Sequence, residues 1–378
     1  MEKCGWRVDS GTRSRNTVGG HAGRERTQRV PVQGYRFSER RTISGVNLIS
    51  FLGRYHLYLS MSVIRWRPLH KDGDWAQKDV MDALKILPNL RVLLLHATDC
   101  SFPFPLHDLS GIQEISIHGR SEKCNAEIVD NVAKLVARSP KITSIDINSY
   151  SSCYAADKSQ SLHQIFKHYP QNSSPLRLRH LSLRACLVKL DDVTLPHLQH
   201  LTSLSLMNIE DPYNRIMRWG ADSSNLQLSK EQQTYGSSID DIWKALKNSR
   251  IFLEELALNV VVPSLLEYLA SYSGLKKLRL TAGGFLDGIS SDSMARQFFS
   301  TPFINHVQSL EDLRISALFE GFWCFGPWNQ AIVSRCTNLK TFGMAIVSGQ
   351  LYPLPGSPSD KIDEVGVESN VIVSPCSI

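Results

Sequence analysis

The apolar residues of this chain fall into short clusters spaced Leu/Ile-x-x-Leu/Ile-x-Leu/Ile, with polar turns between them. The first is Leu90/Leu93/Leu95, inside LPNLRVLLL. Seven further stretches match strictly: Ile112/Ile115/Ile117, Ile142/Ile145/Ile147, Leu178/Leu181/Leu183, Leu201/Leu204/Leu206, Leu253/Leu256/Leu258, Leu275/Leu278/Leu280 and Leu310/Leu313/Ile315. A relaxed template adds Leu339/Phe342/Met344. Leu and Ile make up 70 of 378 residues, so random placement would supply roughly two or three strict matches. The excess marks an internal repeat.

Each cluster reads as a short parallel strand whose Leu/Ile side chains enter a shared core. Successive copies start at 90, 112, 142, 178, 201, 253, 275, 310 and 339. The step from 201 to 253 is about twice the others, so a degenerate copy is expected at Leu226/Leu228. The returns between clusters have helical periodicity. In 74–87, Val80, Leu84 and Leu87 share a face after Asp72 or Asp74. In 125–139, Ile128, Val132, Leu135 and Val136 follow a cap at Asn125. SLHQIFKH, SIDDIWKALKNS and PSLLEYLASYS repeat the plan. Turn pairs such as Ser110-Gly111 and Ser273-Gly274 precede the next strand. Strand, helix and turn at this period predict an α/β fold: an irregular leucine-rich-repeat solenoid, a horseshoe of about ten strand–helix repeats. A doubly wound sheet would need longer units and a Gly-rich first turn. Only Cys186 occupies the Asn/Cys position three residues after the last Leu of a copy, so a continuous Asn ladder is not expected.

Val46 to Ile64 is apolar enough to mimic a membrane span, but Arg54 and His56 sit in its middle. Leu57, Leu59, Met61 and Val63 alternate with polar residues, which predicts a half-buried strand and no membrane segment.

Charge divides the chain. Residues 1–41 hold ten Lys/Arg against four acids, a net +6 that equals the net charge of the whole chain. The body nets to zero and has no overall positive field to hold a polyanion. Residues 1–43 lack Leu and any periodicity, and a disordered basic arm is expected there. The solenoid should cover 44–347, and a flexible Pro/Gly/Ser-rich tail 348–378. Eight scattered cysteines without a Cys-x-x-Cys pair, and no secretory signal, point to reduced thiols in the cytoplasm or nucleus.

No nucleophile elbow, P-loop, dinucleotide fingerprint or zinc-protease motif is present, so neither an enzyme nor a cofactor is expected. His197 and His200 have helical metal-ligand spacing but no third ligand nearby, and they read as surface or turn histidines. His96 and His118 end successive strands and are expected to be neighbours. The aromatic FEGFWCFGPWNQ (319–330) reads as a cover for the open end of the core. The candidate binding surface is the concave face, made by the strand positions between the leucines. It presents Glu114, Asp146, Asn148, His180, Arg184, Glu255, Asn259, Lys277, Arg279 and Arg314, with Ser116 and Asp312 among them. Acids lie towards the early copies and bases towards the late ones, a gradient suited to docking a protein partner.

LPNLRVLLL, LSGIQEISI and CTNLKTFGM, with insertion-rich spacing and the YPLPG tail, resemble the fungal F-box/leucine-rich-repeat-like proteins, which are ribonuclease-inhibitor-like in fold. The resemblance runs from about Gly53 to Gly356. It implies a substrate receptor of a ubiquitin ligase, whose F-box would bind a Skp-type adaptor while the repeats hold substrate. Residues 1–60 contain no Leu-Pro start with a later Cys-Arg-x-Trp, so no adaptor-binding residue is carried over. The expected function is a non-catalytic protein-interaction module. The alternative is a nucleic-acid-associated protein that binds through the basic arm.

Overall fold

In the computed structural model, the described residues are 57–63, 81–97 (without 83 and 88), 105–119, 125–149, 160–213 and 230–347 (without 284 and 286). The chain divides into two units, Met1–Arg41 and Thr42–Ile378, and every described element belongs to the second. The expected arm, tail and F-box region fall outside the described residues, except for the strand at 57–63.

Twelve strands are present among the described residues: β1 (Leu57–Val63), β2 (Leu90–Ala97), β3 (Glu114–Gly119), β4 (Ser144–Ser149), β5 (Gln160–Ser161), β6 (His180–Arg184), β7 (Cys186–Leu187), β8 (Ser203–Met207), β9 (Glu255–Leu258), β10 (Lys277–Ala282), β11 (Asp312–Ala317) and β12 (Thr341–Met344). Ten of them form one sheet in the order β1-β2-β3-β4-β6-β8-β9-β10-β11-β12, and β5 pairs with β7 in a two-stranded sheet beside it. Every pairing in the large sheet is parallel. Chain order is kept throughout, so the sheet has no reversal point of the kind found in doubly wound folds. The ladder extends one residue before the strands, through Thr143 N–H to Gln113 O, Arg179 to Thr143, Thr202 to Arg179, Glu254 to Thr202 and Lys276 to Glu254.

The returns carry α1 (Asn125–Arg138), α2 (Leu162–Phe166), α3 (Leu195–Leu198), α4 (Lys230–Tyr235), α5 (Ile239–Asn248), α6 (Pro263–Ala270), α7 (Gly288–Ser300) and α8 (Pro327–Val333). Local chemistry sets their ends. Ser161 and Gln164 form a reciprocal capping box on α2, while Ser238 caps α5 by accepting from Asp241 N–H. Of the helix expected at 74–87, residues 81–82 and 84–87 are described: 81–82 and 84–85 are helical, while Ile86 is in a turn and Leu87 lies beyond the helix. α1 is described from Asn125, the residue expected to cap it.

Register explains the core. Leu59, Leu93, Ile115, Ile145, Leu181, Leu204, Leu256, Leu278, Leu313 and Phe342 fall opposite one another across the sheet. From Leu93 to Leu313 this row is buried, and it joins Val132, Leu135, Ile165, Trp243, Leu246, Leu265, Tyr268 and Phe298 of the helices in one core. Leu59 and Met61 of β1 stand in register with Leu93 and Leu95, so the alternation of 57–63 does mark a strand of this sheet.

One expectation needs correction. β8 pairs directly with β9, Leu204 facing Leu256 and Leu206 facing Leu258, so no strand lies between them in the sheet. Leu226 and Leu228 lie outside the described residues. Among its described residues the 52-residue step carries α4 and α5, and the tenth strand of the sheet is β1 at the other end. Chain length between copies cannot tell a helix–strand–helix insertion from one long return.

Turn positions follow the sequence closely. Gly111 and Gly274 have φ of +78° and +108°, which glycine adopts without strain. Immediately after β6 and β8 the chain also turns left-handed, at Ala185 (φ 52°) and Asn208 (φ 51°). These are equivalent positions of successive copies, two residues after the last leucine. At Asn208 the conformation is supported. Its N–H donates to Asn259 Oδ1 (2.8 Å), and Asn259 Nδ2 donates to Asn208 Oδ1 (2.6 Å). Ala185 lacks such an amide, so Ala185→Gly should raise stability by about 0.5–1 kcal/mol. Urea midpoints check this, and a lower midpoint for the variant would count against it.

Candidate functional site

One face of the large sheet is filled by the helices. The other carries the residues between the leucines, and among the described residues no helix or strand packs over it. Parallel sheets are usually covered on both faces, so an open one is the first candidate for a site. Because the strands are in register, these residues form rows across the sheet at about 4.8 Å per strand. Nine of the ten expected positions lie in these rows. Glu114, His180, Glu255 and Lys277 share the row that contains Asp312. Asp146, Arg279 and Arg314 share the next, and Asn148 and Arg184 the third. Asn259 lies one residue beyond β9, and its amide is engaged by Asn208.

The early end is a polar cluster. Ser116 Oγ donates to Asp146 Oδ2 (2.9 Å) and lies 2.9 Å from His118 Nε2, which is itself 3.5 Å from Asp146 Oδ2. Asn148 Nδ2 donates to His118 Nδ1 (3.4 Å). Glu114 is exposed on the adjoining row. Among the described residues, no lysine or arginine pairs with Glu114 or Asp146.

Serine, histidine and aspartate together invite comparison with a hydrolase triad, but the connectivity differs. Asn148 occupies Nδ1 as a donor, so the ring proton sits on Nε2, a tautomer assigned from this hydrogen-bond pattern. His118 then donates to Ser116, and the hydroxyl proton goes to Asp146. A triad needs the reverse: Nε2 as acceptor of the serine proton and a carboxylate on Nδ1–H. In this arrangement the Ser116 proton is directed at Asp146 rather than at His118. Full-length protein should remain unlabelled by a fluorophosphonate probe at neutral pH, checked by intact mass, whereas labelling at Ser116 would make the site catalytic.

At the late end the structure changes the expected gradient. Lys277 Nζ pairs with Glu255 Oε1 at 2.6 Å. Burial pushes the Glu255 carboxyl up, but Lys277, the Ser203 hydroxyl and His180 outweigh it and hold it below the usual carboxylate range. Asp312, whose side chain is 9% exposed, accepts from Arg279 Nη2 (2.8 Å) and Arg314 Nε (3.0 Å). The late bases are therefore largely paired, and the acids of the early end are the less compensated pole. Between the poles, Ser182, Ser205 and Ala257 leave a row of small side chains from β6 to β9.

The remaining candidates are structural. His197 is buried rather than at the surface. Its Nδ1 accepts Leu176 N–H (3.0 Å), and its ring stacks on Phe166 and meets Tyr169 edge-on. Burial lowers its pKa. His200 is exposed, so the two do not converge on a metal. No group of three or more His, Cys, Asp or Glu among the described residues is placed to hold one. Register sets His96 opposite His118, as expected. Cys186 and Cys336 are buried free thiols, and Cys324 is buried as well. Burial raises Cys186 to about 12 and Cys336 to about 11, which leaves both protonated and unreactive at neutral pH. In the aromatic stretch Trp323 is buried against Phe298 and Phe299, and Phe325 packs on Phe342 of β12. It covers the core beside the last strands. No helix among the described residues is long and apolar enough to cross a membrane.

Asp312 and Ser116 could be read in the sequence as face positions, but not their roles as the groups that orient two arginines and bridge Asp146 to His118. Those depend on which residues the register sets side by side. Comparison with protein-family models and with curated proteins found no match for the chain.

Proposed function

We propose that the chain is a leucine-rich-repeat-type solenoid that serves as a non-catalytic protein-binding module, with the open sheet face as its docking surface. The observation that carries this reading is a parallel sheet with one face packed by helices and the other bearing charged side chains in register. A buried ladder gives that surface a rigid backbone, so a partner meets side chains already positioned. The opposed charge poles favour one orientation of the partner over its reverse. The sequence resemblance extends the proposal to a substrate receptor of a ubiquitin ligase.

Affinity purification of tagged full-length protein from its own cell extract, read by mass spectrometry, tests both parts. The face is tested by Glu114→Lys/Asp146→Lys, with Lys244→Glu on the helical side as control. A partner lost with the face variant and kept with the control supports docking on the face. Partners retained equally by both variants would overturn it. Recovery of a Skp-type adaptor and a cullin supports the ligase role. Their reproducible absence would leave a stand-alone binding module.

A further inference from the structure

We propose that Arg279 and Arg314 form a fork that binds one carboxylate, an aspartate or glutamate side chain of the protein partner; this rests on the docking reading above. The two residues lie directly opposite in register on neighbouring strands. Like charges in that position repel, and the arrangement is held by Asp312 beneath them. One oxygen of this nearly buried carboxylate takes Arg279 Nη2 and the other takes Arg314 Nε. Each guanidinium thus gives one N–H to Asp312. A guanidinium has five, and no other described acceptor takes any of the remainder. The side chains are 53% and 47% exposed. Their row neighbours, Ala257 and Gly343, are too small to cover them.

A purely structural role explains this poorly. One arginine would already neutralise the nearly buried Asp312. The second creates a surplus of positive charge on an otherwise paired end of the face. Asp312 acts as a positioning residue: it fixes both planar groups before a partner arrives, so less side-chain freedom is lost on binding.

Charge selects the ligand. Two guanidiniums and one carboxylate leave a net +1, and the adjacent Lys277–Glu255 pair adds nothing. A carboxylate matches that charge. A phosphate dianion would set its second charge against Asp312.

The test uses full-length protein and three hexapeptides: Gly-Glu-Gly-Glu-Gly-Glu, its glutamine counterpart and its phosphoserine counterpart, titrated at low salt by microscale thermophoresis. The glutamate peptide should bind at least tenfold tighter than the glutamine peptide and tighter than the phosphoserine peptide. Arg279→Gln/Arg314→Gln should weaken it by roughly 100-fold. Arg279→Lys/Arg314→Lys, which keeps the charge and removes the planar fork, should weaken it about tenfold. Arg91→Gln/Lys244→Gln, with the same loss of charge elsewhere, should leave it unchanged. Asp312→Asn, which raises the site to +2, should move the preference to the phosphoserine peptide. Circular dichroism confirms that each variant is folded. A wild-type preference for phosphoserine, equal binding by the fork variants, or no binding of the glutamate peptide would each overturn the fork. If the fork fails while Glu114→Lys/Asp146→Lys still abolishes partner capture, the docking reading stands without it. If the peptides behave as expected but no partner depends on the face, that reading falls instead.

Discussion

Trp323→Ala should lower stability by about 3–5 kcal/mol, the range for truncating a large buried aromatic side chain. Trp323 is 1% exposed, with ring centroids 5.3 Å from Phe298, 6.2 Å from Phe299 and 6.4 Å from Phe285. Phe298 and Phe299 belong to α7, so the indole joins the covering loop to that helix. Hydrogen bonds tie the loop in place and oppose its collapse into the void. Phe322 N–H donates to Asp292 Oδ1 (2.8 Å) and Phe325 N–H to Ala345 O (2.7 Å). Asn329, fully buried, accepts Gly326 N–H and donates to Cys324 O. Among the described residues the indole Nε1 has no hydrogen-bond partner. Trp323→Phe removes that unpaired donor along with the lost volume and should cost much less, about 1–2 kcal/mol. Urea unfolding gives the totals, and amide exchange at β11 and β12 shows where protection is lost. An alanine variant within about 1 kcal/mol of wild type would mean the loop is not part of the cooperative core.

The second large effect is acid destabilisation through His306. This ring is 2% exposed, accepts Leu275 N–H at Nδ1 (3.3 Å) and donates from Nε2 to Leu269 O (3.0 Å). Burial lowers its pKa to about 4, against 6.5 as the ordinary value, despite the opposing pull of the Leu269 carbonyl. The folded state therefore holds the ring neutral, while the unfolded chain protonates it below pH 6.5. Its contribution is fully present above that pH and is lost as pH falls towards 4. At 1.36 kcal/mol per pH unit the loss is on the order of 3 kcal/mol. Physically, a proton on Nδ1 removes the acceptor of Leu275 N–H. His197, with its pKa lowered by burial and its Nδ1 on Leu176 N–H, works in the same direction. Both histidines sit four residues before the first leucine of a copy, at Leu201 and Leu310. Below pH 4 a different group takes over. Lys134, Lys167 and His168 hold the Asp130 carboxyl well below its usual range, so its stabilisation is lost only in stronger acid. Urea midpoints at pH 7.5, 5.5 and 4.5 should fall steeply for wild type and much less for His306→Asn. Equal slopes would show that another group carries the effect.

The positions of nine of the ten sheet strands beyond chance were legible in the sequence because parallel strands buried on one face impose a period-two rule on Leu and Ile. β1 was legible too, from the alternation at 57–63. The face residues followed by subtraction, since a strand that buries Leu93 and Leu95 turns Val92 and Leu94 the other way. What could not be read was pairing across strands. Asp312 stood among the face residues as one more acid, and only its place beside Arg279 on β10 and Arg314 on its own strand makes it the clamp of two arginines. His197 looked like a surface residue because neighbouring polar residues in LPHLQHL hide a turn that folds one histidine inward and leaves His200 outside. The 52-residue step misled for a related reason: spacing counts residues, not strands.

The amino-acid order by itself determined the α/β alternation, the inward rows of leucine and isoleucine, the helical returns, the glycine turns and the confinement of excess charge to residues 1–41. These depend on local periodicity, backbone permissiveness and composition, which short stretches of chain carry within themselves. Only the tertiary structure decided that β8 joins β9 directly, that among the described residues no helix or strand covers one face of the sheet, and that its late bases share carboxylates on neighbouring strands while Asp146 is held by serine and histidine. Hydrogen-bond register between strands 30 to 52 residues apart sets those contacts, and residues that far apart in the chain become neighbours only when the sheet has formed.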